Sequence, residues 1–341
     1  MTSRPESTAP DVLAIIVPAY RARHLGRTLE SLAQQTDVRF RVYVADDGSP
    51  EDIAGIVAPF RERLALVYHR FPDNCGGSSL VGHWHRSIAL SREPWVWLFA
   101  DDDEMEPGCV AAFHAARAEA RGRAVDLFRF NLDLIDDAGR VYRRPTPHPD
   151  YEDAMAAATA IVGEHQREWR VSNHVFARDI YEARGGFPEF PLAFFSDYAA
   201  WIEFATPRGV RTIAGPRVRW RQHTRGVSSG FGRHRRAALL EGLPVYAGWL
   251  ERYGRRLDPA ERARFAPPAR AHVFHFVGLL EPALNHAERR RLLAGLQRAW
   301  DRPAWRDWID LARAVAKSCL RRKPGFGALA RWRLRQWSPV A

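Results

Sequence analysis

Short continuous runs of apolar residues alternate, through the first hundred residues of the chain, with segments whose apolar residues have helical spacing. In these segments apolar residues recur three or four positions apart, as Leu25, Leu29 and Leu32 do. The continuous apolar runs are typical of parallel strands covered on both faces, and their alternation with helices predicts a doubly wound α/β sheet. The runs are 12–17 (VLAIIV), 40–45 (FRVYVA), 64–68 (LALVY) and 95–100 (WVWLFA).

The pattern changes beyond residue 126. Residues 126–134 alternate with period two, and the turn Asp136-Asp137-Ala138-Gly139 leads into Val141, which predicts a hairpin and therefore a mixed sheet. Further predicted elements are a loop at 145–149, a helix at 197–205, strands at 210–213 and 217–221, and helices beyond about residue 231, broken at Pro267-Pro268 and Pro324-Gly325.

Composition and length indicate a soluble globular protein. The chain has 341 residues, of which 46% are hydrophobic and 27% charged, enough for one large domain or for one domain with a sizeable appendage. Its cysteines, Cys75, Cys109 and Cys319, form no CxxC or Cys/His cluster, so we expect neither a disulfide framework nor structural zinc. We expect a cytoplasmic protein, because 1–10 read as a polar flexible tail and no stretch is long enough to span a bilayer.

The net charge of +11 is unevenly distributed. Residues 1–230 hold 28 basic and 31 acidic residues, whereas 231–341 hold 23 and 9. Residues 311–341 have eight basic residues and no acids, with Trp332 and Trp337 among them. This suits contact with an anionic membrane surface, and it equally suits a helical extension with a solvated basic face.

Acidic residues follow two of the predicted strands directly. Asp101, Asp102 and Asp103, the acidic triplet, follow the run 95–100, and Asp46-Asp47 follow the run 40–45. Ligands of open α/β sheets bind at the carboxyl ends of the strands. Because adjacent carboxylates repel each other, the triplet predicts a divalent cation such as Mg²⁺ or Mn²⁺; the alternative is an acidic surface turn.

Glycine-rich nucleotide fingerprints are absent from the sequence. The first strand leads to PAYRARH rather than GxGxxG, and no GxxxxGK[ST] occurs. A dinucleotide coenzyme is therefore not expected, and a nucleotide would be held by carboxylates and a metal.

Several segments in order carry a resemblance: IIVPAYRARHLGRTLESLAQQT, VYVADDGS, NCGGSS, WLFADDDEMEPG, ARGGFPEFP, FFSDYAAWIEFA and WRQH. Together they resemble the family 2 glycosyltransferases over residues 11–230. The resemblance implies a GT-A, Rossmann-like, mixed but mostly parallel sheet flanked by helices, with 231–341 as a basic helical C-terminal extension. It also implies inverting transfer of a sugar from a nucleotide-diphosphate-sugar to a hydroxyl, in bacterial cell-surface polysaccharide or glycoconjugate synthesis.

The resemblance also implies donor-side roles. The metal would be held by Asp103 and Asp101, with His223 as a further ligand. Whether Asp101 or Asp102 assists Asp103 stays open, because alignment at Pro107 places Ala100 at the first acid of the motif. The nucleotide-sugar residues it implies are Pro18, Ala19, Tyr20, Asp46, Asp47, Asn74, Gly77, Arg86, Asp101, Asp102 and Arg221.

On the acceptor side, the resemblance implies Asp197 as the general base and Gly185, Gly186 and Phe187 as a loop near the acceptor. Asp197 follows Ser196, where relatives have Glu, and the alternative is an acid at a helix N-terminus. Arg221 and His223 could also be an ordinary ion-paired arginine and a surface histidine. The HxH at His83-Trp84-His85 is not expected to chelate metal, since i and i+2 point apart on a helix.

The expected partners are a nucleotide-diphosphate-sugar, a glycan or lipid-linked glycan acceptor and an anionic membrane surface, with no nucleic acid. The expected location is the cytoplasm or the inner face of the plasma membrane. Two alternatives are a nucleotidyltransferase, although PAYRARH lacks the loop such enzymes use, and a catalytically degenerate GT-A module.

Overall fold

The structure is a computed structural model that describes residues 13–120, 125–164, 166–223, 233–280, 284–300 and 309. The predicted tail (1–10), the predicted break at Pro324-Gly325 and the basic segment 311–341 lie outside the described residues. The chain forms two compact units. The first comprises Met1–Ala157, His165–Glu189 and Ser196–Gln222, and the second comprises Ala158–Glu164, Phe190–Phe195 and His223–Ala341.

The first half of the sheet is parallel, as predicted. Its strands lie in the order β3-β2-β1-β4, and every pair among them is parallel. Strand β1 lies in the centre because its residues are almost entirely buried. The elements are β1 (Leu13–Ala19), α1 (Ala22–Ala33), β2 (Arg41–Asp46), α2 (Ile53–Val57), β3 (Leu66–Arg70), α3 (Leu80–Ile88) and β4 (Trp95–Leu98).

The second half is mixed, and the predicted hairpin at 126–145 is confirmed as the antiparallel pair β6–β7. Strand β10 is a single strand with a bulge between Ile213 and Val218, where the sequence predicted two strands. Strand β9 lies antiparallel between β4 and β6. The elements are β5 (Glu104–Met105), α4 (Cys109–Glu119), β6 (Leu127–Ile135), β7 (Val141–Arg143), β8 (Tyr151–Glu152), α5 (Ala154–Gly163), β9 (His174–Ala177), α6 (Arg178–Ala183), α7 (Ser196–Phe204) and β10 (Val210–Arg221).

The sheet register brings the predicted acidic residues to one edge. Ala19 at the end of β1 pairs with Asp46 at the end of β2. The amide of Asp47 donates to the carbonyl of Ala19 (2.9 Å), and on the other side of β1 the amide of Phe99 donates to the carbonyl of Ile16 (2.8 Å). Three adjacent strands therefore end together, and their following residues meet at the carboxyl edge of the sheet.

The described part of the second unit is helical beyond residue 232, as predicted. Its helices are α8 (Arg233–Arg256), α9 (Pro259–Leu280) and α10 (His286–Trp300). The predicted break at Pro267-Pro268 is wrong, because α9 continues through both prolines. Burial of Phe265 and Ala269 on either side, with the Phe265 ring 5.1 Å from that of Tyr253 on α8, offsets the lost backbone bonds. Within the described residues, every helix is too short or too polar to cross a lipid bilayer.

Candidate functional site

Asp47 is buried beyond the end of β2 and is surrounded by hydrogen-bond donors. The amides of Cys75 and Gly76 donate to its two carboxylate oxygens at 3.1 and 2.8 Å. Arg86 donates to Oδ1 at 2.5 Å, and Nδ1 of His83 lies 3.0 Å from the same oxygen. Burial lowers the pKa of His83 to about 4, so its ring is neutral at pH 7. These contacts therefore fix the orientation of the Asp47 side chain.

Arg86 is oriented by the residues that follow β3. Its guanidinium lies 4.0 Å from the ring centroid of Phe71 and donates to the side chain and the carbonyl of Asp73. It is partly buried, and its Nε donates to Nδ1 of His83 at 3.2 Å, so each of its three nitrogens has a partner. Arg86 and Asp47 are thus brought together, and their predicted role in nucleotide binding stays a prediction.

Asp46 has different surroundings from its neighbour Asp47. Its fully buried carboxylate accepts hydrogen bonds from the Ser49 amide (2.8 Å), the Tyr68 hydroxyl (2.7 Å) and Arg70 (2.7 Å). These bonds hold the turn that follows β2 against β3. The predicted contact between Asp46 and a nucleotide stays a prediction.

The acidic triplet lies at the end of β4, where its members differ in exposure. Asp103 is fully buried, and its Oδ1 accepts the backbone amide of Arg221 at 2.7 Å. Asp101 and Asp102 are partly exposed. Oδ2 of Asp101 accepts the amides of Tyr20 (3.2 Å) and Arg21 (3.4 Å), which follow β1. The triplet and the segment after β1 therefore form one continuous edge.

Burial and repulsion by the neighbouring Asp102 disfavour charge on Asp101 and Asp103. Desolvation, and then the neighbouring Asp102, raise the pKa of Asp101 to about 7. The same two causes raise the pKa of Asp103 well above its ordinary value. Carboxylates so close together and so poorly hydrated are stabilised as anions by a nearby cation.

Arg221 at the end of β10 is buried, and its side chain is directed at backbone and carboxylate oxygens. Nε donates to the Asp102 carbonyl (2.8 Å), Nη1 to the carbonyls of Asp136 and Asp137 (3.0 and 3.1 Å), and Nη2 to Glu104. It therefore ties the triplet to the β6–β7 turn. His223 is buried and belongs to the second unit; its predicted role as a metal ligand stays a prediction.

Asp197 lies in the first turn of α7 and is partly exposed. Its Oδ1 accepts the amide of Tyr198 at 2.9 Å. Desolvation raises the pKa of Asp197 to about 6, and the charge of Arg170 acts in the opposite direction. Asp197 is therefore an ionised carboxylate at neutral pH with a proton affinity well above that of an ordinary aspartate.

The remaining predicted residues line the same edge or the loop after α6. Pro18 and Ala19 end β1, and Tyr20 is exposed directly after it. Asn74 accepts the amide of Gly77 at 2.8 Å, so both shape the turn that surrounds Asp47. Gly185 and Gly186 have φ of +73° and +78°, and Phe187 is buried. We call residues 185–189 the Gly-Gly-Phe loop.

Two residues of the site carried no signal in the sequence. The Ser172 hydroxyl accepts the amide of Ala100 at 3.0 Å, and Ser172 acts to lower the pKa of Asp103 against the effect of burial. Arg170 lies 4.4 Å from the ring centroid of Trp220 and acts on the charge of Asp197. Both precede β9, a strand the sequence did not predict, and neither belongs to a recognisable motif.

The curled, mostly parallel sheet and the acid-lined strand ends define a protein of GT-A-like fold. The family model for Glycosyl transferase family 2 matches residues 14–190, just over half of the chain, so the chain belongs to this family and is a glycosyltransferase. The resemblance read from the sequence is thereby confirmed. No curated protein matches the chain in sequence.

Solved structures share the fold at low sequence identity. TarS of S. aureus, residues 1–349, superposes with a TM-score of 0.64 at 15% identity, over 84% of this chain and 80% of that one. The same TarS fragment in complex with UDP-GlcNAc gives 0.53 at 14%, over 86% and 91%. The mannosyltransferase PcManGT of Pyrobaculum calidifontis, in complex with GDP-Man and Mn²⁺, gives 0.53 at 16%, over 96% and 85%. These likenesses confirm the predicted GT-A fold.

Proposed function

We propose that this glycosyltransferase moves a sugar from a nucleotide-diphosphate-sugar to an acceptor hydroxyl with inversion of the anomeric configuration. The observation that carries the proposal is the continuous edge formed after β2, β1 and β4. There the Asp47 carboxylate, the exposed Tyr20 segment and the acidic triplet follow one another, with Asp101 bonded to the Tyr20 amide. Such an edge fits a ligand with a polar base at one end and a diphosphate at the other. The UDP-GlcNAc and GDP-Man complexes of the two similar proteins agree with this ligand class.

Asp47 and Arg86 are proposed to bind the base and ribose of the donor. An ionised carboxylate accepts the N–H of a base, and its fixed orientation limits the conformational entropy lost on binding. Arg86 adds a fixed positive charge beside Asp47, which attracts the phosphate oxygens of the donor.

The residues of the acidic triplet fit a hard divalent cation such as Mg²⁺ or Mn²⁺. The raised pKa values of Asp101 and Asp103 indicate that the site disfavours anions without a counter-charge. Carboxylate oxygens are the ligands these cations prefer. When bound, the cation supplies positive charge at the diphosphate as the leaving group departs. Asp101 and Asp103 are the proposed ligands, and the partly exposed Asp102 between them is a further carboxylate within the same group.

Asp197 is proposed to act as the general base. Its carboxylate accepts the proton of the acceptor hydroxyl while that oxygen forms a bond to the anomeric carbon, and the bond from that carbon to the diphosphate oxygen breaks. A pKa of about 6 leaves the residue ionised at neutral pH and makes it a better proton acceptor than an ordinary aspartate. The Tyr198 amide fixes one oxygen and leaves the other for the hydroxyl.

The wider role follows from the resemblance and the charge distribution. We propose a glycan or lipid-linked glycan acceptor in bacterial cell-surface polysaccharide or glycoconjugate synthesis. The basic, tryptophan-containing segment 311–341 would hold the enzyme at the anionic inner face of the membrane.

Calorimetric titration with UDP-, GDP- and dTDP-sugars, with and without Mn²⁺, tests the donor assignment. We expect one nucleotide class to bind in a metal-dependent manner, and Asp103→Asn, which keeps the oxygen that accepts the Arg221 amide, to weaken that binding by at least about tenfold. Asp37→Asn, which changes an acid paired with Arg39, is the matched control and should bind normally. Metal-independent binding that is unaffected by Asp103→Asn would refute the metal assignment. A product that keeps the anomeric configuration of the donor would refute inversion, and the absence of any nucleotide-sugar binding would favour a degenerate module.

A further inference from the structure

Helix α3 carries the sequence His83-Trp84-His85, which the proposed function leaves unexplained. The two histidines lie two positions apart, so their side chains leave the helix in different directions. His83 is directed at Asp47, with 3.0 Å between Nδ1 and Oδ1. His85 contacts Tyr181 of α6 and Phe187 of the Gly-Gly-Phe loop. The helix thus has one histidine at the nucleotide side and one at the loop.

Both ring nitrogens of His85 have partners. Nε2 lies 3.1 Å from the Phe187 carbonyl oxygen, and Nδ1 lies 2.6 Å from the Tyr181 hydroxyl. Because a carbonyl can only accept, Nε2 carries the proton and Nδ1 accepts the hydrogen bond of the tyrosine. This pair of bonds fixes one tautomer and one ring orientation, and it joins α3 to both ends of the turn between α6 and the loop.

The backbone of the loop is shaped around this histidine. At Gly186, which has φ of +78°, a Cβ atom would lie 2.4 Å from Cε1 of His85. The glycine therefore allows both the left-handed backbone and the close approach of the ring. Trp84 packs edge-to-face on the Phe187 ring with centroids 5.4 Å apart.

A third contact joins the start of α3 to the end of the loop. The hydroxyl of Ser79, the N-cap of α3, donates to Glu189 at 2.9 Å and accepts the Gly82 amide at 2.8 Å. The turn just before Ser79 supplies the amides of Cys75 and Gly76 to Asp47. One short helix and its N-cap are therefore bonded to the nucleotide-side carboxylate and to two residues of the loop, Phe187 and Glu189.

We propose that His85 is the positioning residue for the Gly-Gly-Phe loop, and that α3 fixes the position of the loop relative to Asp47 and Arg86, the proposed nucleotide-binding residues. The proposal rests on the proposed function and on the acceptor-side role that the resemblance to the family implies for the loop. It assigns the two histidines to different substrates: His83 supports donor binding by accepting a hydrogen bond from Arg86 beside Asp47, and His85 supports the acceptor side through the Phe187 carbonyl.

Hydrogen exchange of the loop amides, measured by mass spectrometry on the full chain, tests the role of His85 directly. We expect His85→Ala to speed exchange of the amides of residues 185–189 by about tenfold, the effect of losing one or two hydrogen bonds. His85→Gln should restore most of the protection, because its side-chain amide can reach the Phe187 carbonyl. His114→Ala is the matched control, since Nε2 of His114 also lies 3.0 Å from a carbonyl, that of Arg39, away from the loop. Unchanged exchange in His85→Ala, or an equal effect from His114→Ala, would overturn the proposal.

Substrate readouts separate the two histidines. UDP, GDP and dTDP are titrated with Mn²⁺, and the tightest binder is kept as the probe. Its Kd should stay within about twofold in His85→Ala and rise by about tenfold in His83→Ala, which removes the hydrogen-bond acceptor that holds Arg86 beside Asp47. Hydrolysis of the matching nucleotide-sugar, with water as the acceptor, should be unaffected by His85→Ala, and a loss of hydrolysis would overturn the acceptor-side assignment. If no nucleotide binds, the proposed function fails, while hydrogen exchange still decides whether His85 positions the loop.

Discussion

Replacing Asp197 with asparagine should make the protein more stable and inactive. Desolvation raises the pKa of Asp197 from 3.8 to about 6. Each pKa unit corresponds to about 1.4 kcal/mol, so keeping this carboxylate ionised in the folded state costs about 3 kcal/mol. Asparagine keeps the oxygen that accepts the Tyr198 amide and removes the charge. At pH 7.5 we therefore expect the free energy of unfolding of Asp197→Asn to exceed that of the wild type by up to about 3 kcal/mol.

The gain should depend on pH in a defined direction. Because the folded pKa lies above the unfolded one, the native state binds this proton more tightly, and the wild type gains stability as pH falls from about 6 towards 4. The advantage of Asp197→Asn should therefore shrink over that range and vanish near pH 4. Urea unfolding at pH 4, 5, 6 and 7.5 measures it. In the same variant, sugar transfer should fall by about 10²- to 10⁴-fold, the usual contribution of a general base.

Glu30 provides a control, because its pKa is shifted in the direction opposite to that of Asp197. A hydrogen bond from Arg63 lowers the pKa of the Glu30 carboxylate, so Glu30→Gln should not stabilise the protein at any pH. The reasoning about Asp197 would be refuted if Asp197→Asn were less stable than the wild type at pH 7.5. It would also be refuted if the advantage persisted unchanged at pH 4, or if transfer continued at the wild-type rate.

Two further predictions concern folding. Tyr246→Leu removes the ring that stacks on Phe195 within the second unit, with 4.4 Å between the ring centroids; Phe195 itself has φ of +72°. We expect calorimetry to give a thermal midpoint several degrees lower. An unchanged midpoint would show that the stack contributes little to stability. Gly209→Ala should destabilise the protein by more than about 2 kcal/mol in urea unfolding, since its Cβ would lie 2.3 Å from the Glu152 carbonyl oxygen at φ of +77°. Gly185→Ala, at φ of +73° with no atom within 4 Å, should cost only about 1 kcal/mol, and equal losses would argue against the steric reason.

The parallel half of the sheet was predictable because its strands are apolar runs bounded by turns. The hairpin β6–β7 was predictable because Asp136–Gly139 is a strong local turn signal. Strand β9 was not, since its four residues form a strand only by pairing with β4 and β6, which lie 40 to 80 residues away in the sequence. The single strand β10 was divided in the prediction because Gly215 and Pro216 lie in its bulge.

The site was predictable as a set of carboxylates but not as individual roles. Asp46 and Asp47 are adjacent identical residues after one strand, yet β3 supplies Tyr68 and Arg70 to the first and leaves the second facing the turn before α3. Such differences depend on which residues of other elements reach each oxygen, and spacing along one segment carries no information about them.

The buried guanidinium of Arg221 has a consequence for how freely the chain can vary in length. Surface hairpin turns usually accept insertions, because their ends are held by the strands alone. The turn after β6 is different, since its carbonyls at Asp136 and Asp137 bind Arg221, whose backbone amide binds Asp103. One added residue in that turn would withdraw acceptors from Arg221 and loosen the strand end that carries the acids. The length of an exposed turn is thereby set by the chemistry of the buried site.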